Sequence, residues 1–112
     1  MSASAELIEF YADQLAPLGG VETRKMFSGA GFSIGGVTFA LLLQDGLRMR
    51  VDDATRPSYE AAGCEPFTYS ARGKQVVVRR YYSLPDDAAD NQERLLELAV
   101  ESLAAAKRDP TR

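Results

Sequence analysis

The sequence predicts an α+β domain: an antiparallel sheet of five to six strands packed with helices, in the order helix–strands–short helix–two strands–helix. Three observations carry this expectation. Apolar residues recur at spacings of three and four near both ends of the chain, as on one face of a helix. Between the ends, short apolar runs are separated by the turn signals Gly35-Gly36, Asp45-Gly46 and Arg72-Gly73. The 112 residues, 46% of them apolar, suit one domain that buries a core without metals or disulfides.

The first helix is capped by Ser4 and carries Glu6 and Glu9 in its opening turns. Leu7, Tyr11, Leu15 and Leu18 form its apolar stripe, widened by Ile8, and Pro17 and Gly19-Gly20 end it. Arg24–Phe27 reads as a short strand or an extended lead into the first hairpin, and Gly29-Ala30-Gly31 as a tight turn that lets Met26 and Phe27 pack. Strands over Gly31–Ile34, Val37–Leu43 and Leu47–Val51 follow. In the last of these Leu47, Met49 and Val51 point one way and Arg48 and Arg50 the other. Asp52 to Pro57 turns the chain into a short helix through Tyr59 and Ala62, which Gly63 stops. Pro66–Ser70 and Lys74–Tyr82 form a last hairpin. After Pro85 a helix runs from about Asn91 to Lys107, with Leu95, Leu98, Leu103 and Ala106 on or near one stripe and Val100 a weaker member. Lys107 and Arg108 suit its negative end, and 109–112 is expected to fray, so that one domain spans 1–112.

Two apolar runs do not alternate: Phe39-Ala40-Leu41-Leu42-Leu43 and Val76-Val77-Val78. A strand with one wet face alternates, so these runs call for cover on both faces. Helices supply one cover. The short helix or a second copy of the chain on the outer sheet face is the expected other, which makes a homodimer one of the partner expectations.

Composition excludes much. Histidine is absent and Cys64 is the sole cysteine, which removes a histidine-based triad, Cys/His zinc sites, a CxxC redox pair and an intramolecular disulfide. Cys64 precedes Glu65, which disfavours its thiolate, so a structural thiol is expected. No apolar stretch is long enough to span a bilayer, and the N-terminus lacks the pattern of a signal peptide. With the free thiol this points to the cytoplasm. The net charge of −3 is uneven: residues 1–20 and 83–112 carry −3 each, and residues 21–82 carry +3. The pI of 4.9 is far below that of dedicated nucleic-acid binders.

Three stretches carry a family likeness. Arg24-Lys25-Met26-Phe27-Ser28-Gly29-Ala30-Gly31-Phe32 resembles the Arg-x-Met-Phe-Gly-Gly-x-Gly opening of the TfoX (Sxy) N-terminal domain family, with Ser28 where glycine is frequent. Val51 to Tyr69, with Pro57, Gly63, Pro66 and Phe67, is similar to that family's middle signature. Tyr81-Tyr82-Ser83-Leu84-Pro85-Asp86 resembles its Tyr-Tyr-x-x-Pro-acid lead into the last helix. The motifs span about residues 20–105 in order. The resemblance implies an α+β fold with helices against an antiparallel sheet, and a role beside the transcription machinery in regulating natural competence. It transfers no catalytic residues. Longer relatives have a C-terminal domain, and the chain is expected to be a lone N-terminal domain, so a DNA contact made through that second domain does not carry over. The motif residues Met26, Phe27, Gly29, Gly31, Gly63, Pro66, Phe67, Tyr81, Tyr82 and Pro85 are expected to be structural.

Among candidate sites, Gly29-Ala30-Gly31 lacks the lysine and the strand–loop–helix setting of a phosphate loop. Asp52-Asp53 has too few neighbouring oxygen ligands for a cation and reads as a helix cap. Glu93, Glu97 and Glu101 form a solvated stripe. The best candidate is basic: Arg24, Lys25, Arg48, Arg50, Arg79 and Arg80, a patch if their strands are neighbours, beside Tyr81 or Tyr82. The expected function is a non-enzymatic regulatory module acting by protein contact, without cofactor or metal. The alternative is direct nucleic-acid binding through the same face, and a small-molecule sensor would need a deep polar pocket.

Overall fold

The computed structural model describes residues 4–26, 29–43 and 46–109. Its elements run α1 (Ala5–Leu15), β1 (Val21–Met26), β2 (Gly29–Ile34), β3 (Val37–Leu43), β4 (Gly46–Arg50), α2 (Arg56–Ala61), β5 (Pro66–Ala71), β6 (Lys74–Ser83) and α3 (Gln92–Arg108). Short 3-10 turns over Ala16–Leu18 and Asp86–Ala88 follow α1 and precede α3. All six strands join one antiparallel sheet in the order β1-β2-β3-β4-β6-β5. The α+β class and element order expected from the sequence are those observed.

Local chemistry sets the boundaries. Ser4 Oγ accepts the Leu7 N–H at 3.1 Å, and Asn91 Oδ1 accepts the Arg94 N–H at 3.2 Å, each satisfying a donor of a first helical turn. The β2–β3 connection needs positive φ at both residues, and Gly35 (59°) and Gly36 (80°) supply it. Asp45 and Phe27 lie outside the described residues, as does Ser28.

Helices α1 and α3 cover one sheet face. Phe32, Ala40, Leu42, Met49 and Tyr82 from the sheet meet Leu15, Leu95, Leu98 and Ala99 from the helices in one core. Each large side chain buried there contributes about 1.5–3 kcal/mol. The register shifts at Phe32/Ser33, placing Phe39 between the pairs Phe32↔Ala40 and Ser33↔Thr38. This bulge turns both Phe39 and Ala40 into the core, which breaks the period-two pattern.

Three expectations are corrected here. Gly29-Ala30-Gly31 is not a turn but the start of β2, paired on both sides by β1 and β3. A side chain on Gly29 would collide with the Leu42 carbonyl, and one on Gly31 would press on Met26 Sδ at 3.0 Å. The glycines are there for close strand approach, and a phosphate cradle has no free N–H groups in the middle of a ladder. The first strand begins at Val21 rather than Arg24, because Val21 pairs with Ile34. The run 39–43 needs no second copy to cover it. Phe39, Ala40 and Leu42 enter the core, and Leu41, opposite Gly31 and Arg48, is buried on the other face within its own sheet.

Candidate interaction surface

The six basic residues do not converge. Arg24 and Lys25 lie exposed on β1, at the sheet edge opposite β5 and separated from β4 by two strands. Arg48 and Arg50 stand across from Ser83 and Tyr81 in the β4–β6 pairing. Arg50 is only 6% exposed. Its Nη2 donates to the Asp109 carbonyl at 2.6 Å and lies 3.4 Å from the Asp109 carboxylate, and its guanidinium sits 5.9 Å from the Tyr81 ring centroid. Read from the sequence as a steering charge, Arg50 is a strap that holds the end of α3 against β4. Arg79 pairs with Glu60 of α2 at 3.4 Å, and the Arg80 carbonyl accepts the Val51 N–H at 2.7 Å.

A second pair reinforces the strap. Arg108 Nε donates to Asp52 Oδ2 at 2.7 Å, while Asp52 Oδ1 accepts the N–H groups of Ala54 and Thr55 at 3.1 Å. The Arg108 hydrogen bond, with further help from Thr55, lowers the Asp52 pKa to about 2 against the penalty of burial. Asp52 thus caps the turn into α2 and anchors the C-terminus of α3. Asp109, placed by the sequence in a fraying tail, is one of the anchored residues.

The aromatic motif is structural in the same way. Tyr82 is buried, and its hydroxyl donates to Glu60 Oε2 at 2.8 Å. Burial first, then the Glu60 bond, raises its pKa; burial also raises Tyr81, with Arg50 acting against it. Gly63, at φ +82°, follows α2 with its N–H on the Glu60 carbonyl. Pro85 is buried ahead of the 3-10 turn, and Pro66 opens β5.

The sequence singled out the run Val76-Val77-Val78 but not the surface it belongs to, the most exposed apolar part of the sheet. β4 and β6 pair only from Arg48↔Ser83 to Arg50↔Tyr81, whereas β5 and β6 pair out to Ala71↔Lys74. Residues 67–78 therefore stand beyond the end of β4 as a two-stranded ribbon. Phe67 and Tyr69 stack on one face, ring centroids 5.7 Å apart, on the side carrying Val76 and Val78. Val77 is 51% exposed on the other face. From residue 66 to 85 there are four bases, Arg72, Lys74, Arg79 and Arg80, and no acid. Arg72 and Lys74, at the exposed tip, form no ion pair among the described residues. The sequence signal was the run Val76-Val77-Val78 within this carboxylate-free stretch.

Other features are self-contained. A depression of about 220 Å³ lies between α2, the second 3-10 turn and α3, lined by Tyr59, Pro85, Asp86, Asp87 and Arg94 among others. Arg94 is held there by Asp87 at 3.4 Å and Glu97 at 3.0 Å, so its charge is already engaged. Tyr59 is buried, and burial pushes its pKa up to about 12, with the Ser102 hydroxyl acting against it. Burial likewise raises the Cys64 thiol, with Ser83 opposing. Among the described residues no helix is long and apolar enough to cross a membrane. Nor do those residues hold three His, Cys, Asp or Glu side chains grouped to bind a metal.

No curated protein matches the chain. A family model does: that of the TfoX N-terminal domain, over residues 13–106, from the later turns of α1 almost to the end of α3. The chain thus belongs to the TfoX N-terminal domain family.

Proposed function

We propose that this protein is a regulatory module without a catalytic step, which works by binding a protein partner through the β5–β6 ribbon. The carrying observation is the ribbon itself: exposed Tyr69 and Val77, flanking bases, and no carboxylate from 66 to 85. Exposed apolar area rimmed by charge is the usual composition of a recognition patch. The role that the TfoX resemblance implies, beside the transcription machinery in regulating competence, fits a module of this kind.

Arg24 and Lys25 drop out of the surface because they lie at the other edge, and Arg50 supports it from within. The stacked Phe67–Tyr69 pair beside Arg72 and Lys74 favours a second reading, single-stranded nucleic acid lying on the aromatic face. The acidic pI of 4.9 weighs against it.

Affinity capture of the tagged protein from host lysate, with and without nuclease, tests the proposal. Arg72→Glu/Lys74→Glu is the comparison, since both side chains are exposed at the ribbon tip. A stoichiometric protein partner that survives nuclease and is lost in the variant is the expected result. Capture that is unchanged in the variant overturns the surface, and capture that disappears with nuclease favours the second reading.

A further inference from the structure

The outer edge of β5 has the geometry of an open docking strand. Arg72 and Gly73, at φ +54° and +75°, make a two-residue turn, so Ala71↔Lys74 is the hydrogen-bonded pair that closes the hairpin. Bonded and non-bonded pairs alternate along an antiparallel ladder. Ala71, Tyr69 and Phe67 therefore bond to β6, while Thr68 and Ser70 direct their N–H and C=O groups outward. On β6 the same alternation turns Gln75 and Val77 away from β5. β5 ends the sheet, so among the described residues no strand takes up the outward groups of Thr68 and Ser70.

Resting on the proposed contact function, we propose that the β5 edge binds an extended, acidic peptide segment of a partner protein as an added seventh strand. Backbone pairing to Thr68 and Ser70 would supply affinity, and the flanking side chains specificity. The Phe67–Tyr69 face gives the incoming strand apolar side chains to pack on, and Arg72 and Lys74 at its end select carboxylates. The opposite ribbon edge is less suited, because the Arg79 carbonyl at its base is already taken by Arg56, and Glu65, exposed at the base of β5, leaves the carboxylate-selecting end at the tip. A second copy paired antiparallel at this edge is the competing occupant, and a dimer mass for the wild-type protein that Ser70→Pro returns to monomer would overturn the proposal. The edge spans about five residues, or roughly 17 Å of partner chain.

Proline tests this directly. Ser70→Pro removes one outward N–H and no backbone bond to β6, losing besides only the exposed hydroxyl's bond to Gln75 Oε1 at 3.1 Å, a substitution that an edge strand tolerates. A randomised dodecapeptide library is selected on the immobilised wild-type protein, and the selected peptides are measured on both proteins. Expected are acidic peptides with alternating apolar residues that bind Ser70→Pro about tenfold more weakly. In the wild-type protein they should also slow amide exchange at Thr68 and Ser70 at least tenfold, a readout that stands even where the variant fails to fold.

Neutral or basic peptides, no selected peptide, or protection elsewhere overturns the proposal. So does a fluorescein-labelled 20-nucleotide single strand that occupies the ribbon with steep salt dependence while peptides do not. The lysate capture separates the two levels. A partner lost with Arg72→Glu/Lys74→Glu but retained by Ser70→Pro sinks strand addition and leaves the contact function. A partner retained by both variants sinks both.

Discussion

Replacing Asp52 with asparagine isolates one ion pair, and its effect can be worked from the structure. The amide side chain would keep an oxygen for the Ala54 and Thr55 N–H groups, both 3.1 Å from Asp52 Oδ1, and lose the charge that faces Arg108 at 2.7 Å. The carboxyl pKa falls from 3.8 to about 2 on folding. A depressed acid stabilises the fold above its unfolded pKa and loses that contribution as pH falls through the folded value. At full strength the shift corresponds to roughly 2 kcal/mol. The Arg108 side chain is 52% exposed, so solvent screening leaves on the order of 1 kcal/mol. Urea unfolding of wild type and Asp52→Asn from neutral to acid pH is the assay. Wild type should be more stable by about 1 kcal/mol above roughly pH 5, with the gap closing between about pH 4 and 2. A gap that is the same at neutral and acid pH, or zero at both, would refute the ion pair as its cause.

Three further outcomes are expected. Gly29→Ala should cost about 3 kcal/mol or more, because the Leu42 carbonyl it meets is backbone and cannot rotate away; a loss under about 1 kcal/mol in denaturant melts refutes the close approach. Tyr59→Phe should change stability by less than about 1 kcal/mol, because in its buried setting the hydroxyl has only the Ser102 hydroxyl to interact with; a loss of about 2 kcal/mol or more in thermal melts would mean a stronger bond there. Native Cys64 should react with iodoacetamide more slowly at neutral pH than the same thiol in urea-unfolded protein, because burial raises its pKa; equal or faster native labelling counts against this.

Much of the fold was legible because local chemistry decides it. Ser4 and Asn91 cap helices, Gly35-Gly36 supplies the positive φ that its two-residue turn takes, and Leu47-Arg48-Met49 alternates as a half-covered strand does. What was not legible depends on partners distant in sequence. Alternation placed Arg50 on the face away from the core, but no local signal says that Asp109 will cover it. Gly29 and Gly31 look like turn residues until the strands beside them are known. The hairpin could have docked by either arm; that β6 rather than β5 lies next to β4 decides which edge is open. The overhang follows from lengths alone, ten residues in β6 beside five in β4, once that adjacency is given.

The short β4–β6 pairing also bears on how the chain finds its shape. β1 to β4 pair with their sequence neighbours, and so do β5 and β6, so each group can assemble with little loop closure. One seam of three residue pairs, Arg48 to Arg50 against Tyr81 to Ser83, joins a four-stranded meander to a hairpin across a long stretch of intervening chain. Tyr82 at the middle of that seam fills the core and ties its hydroxyl to α2, so a single side chain reports whether the two halves have met.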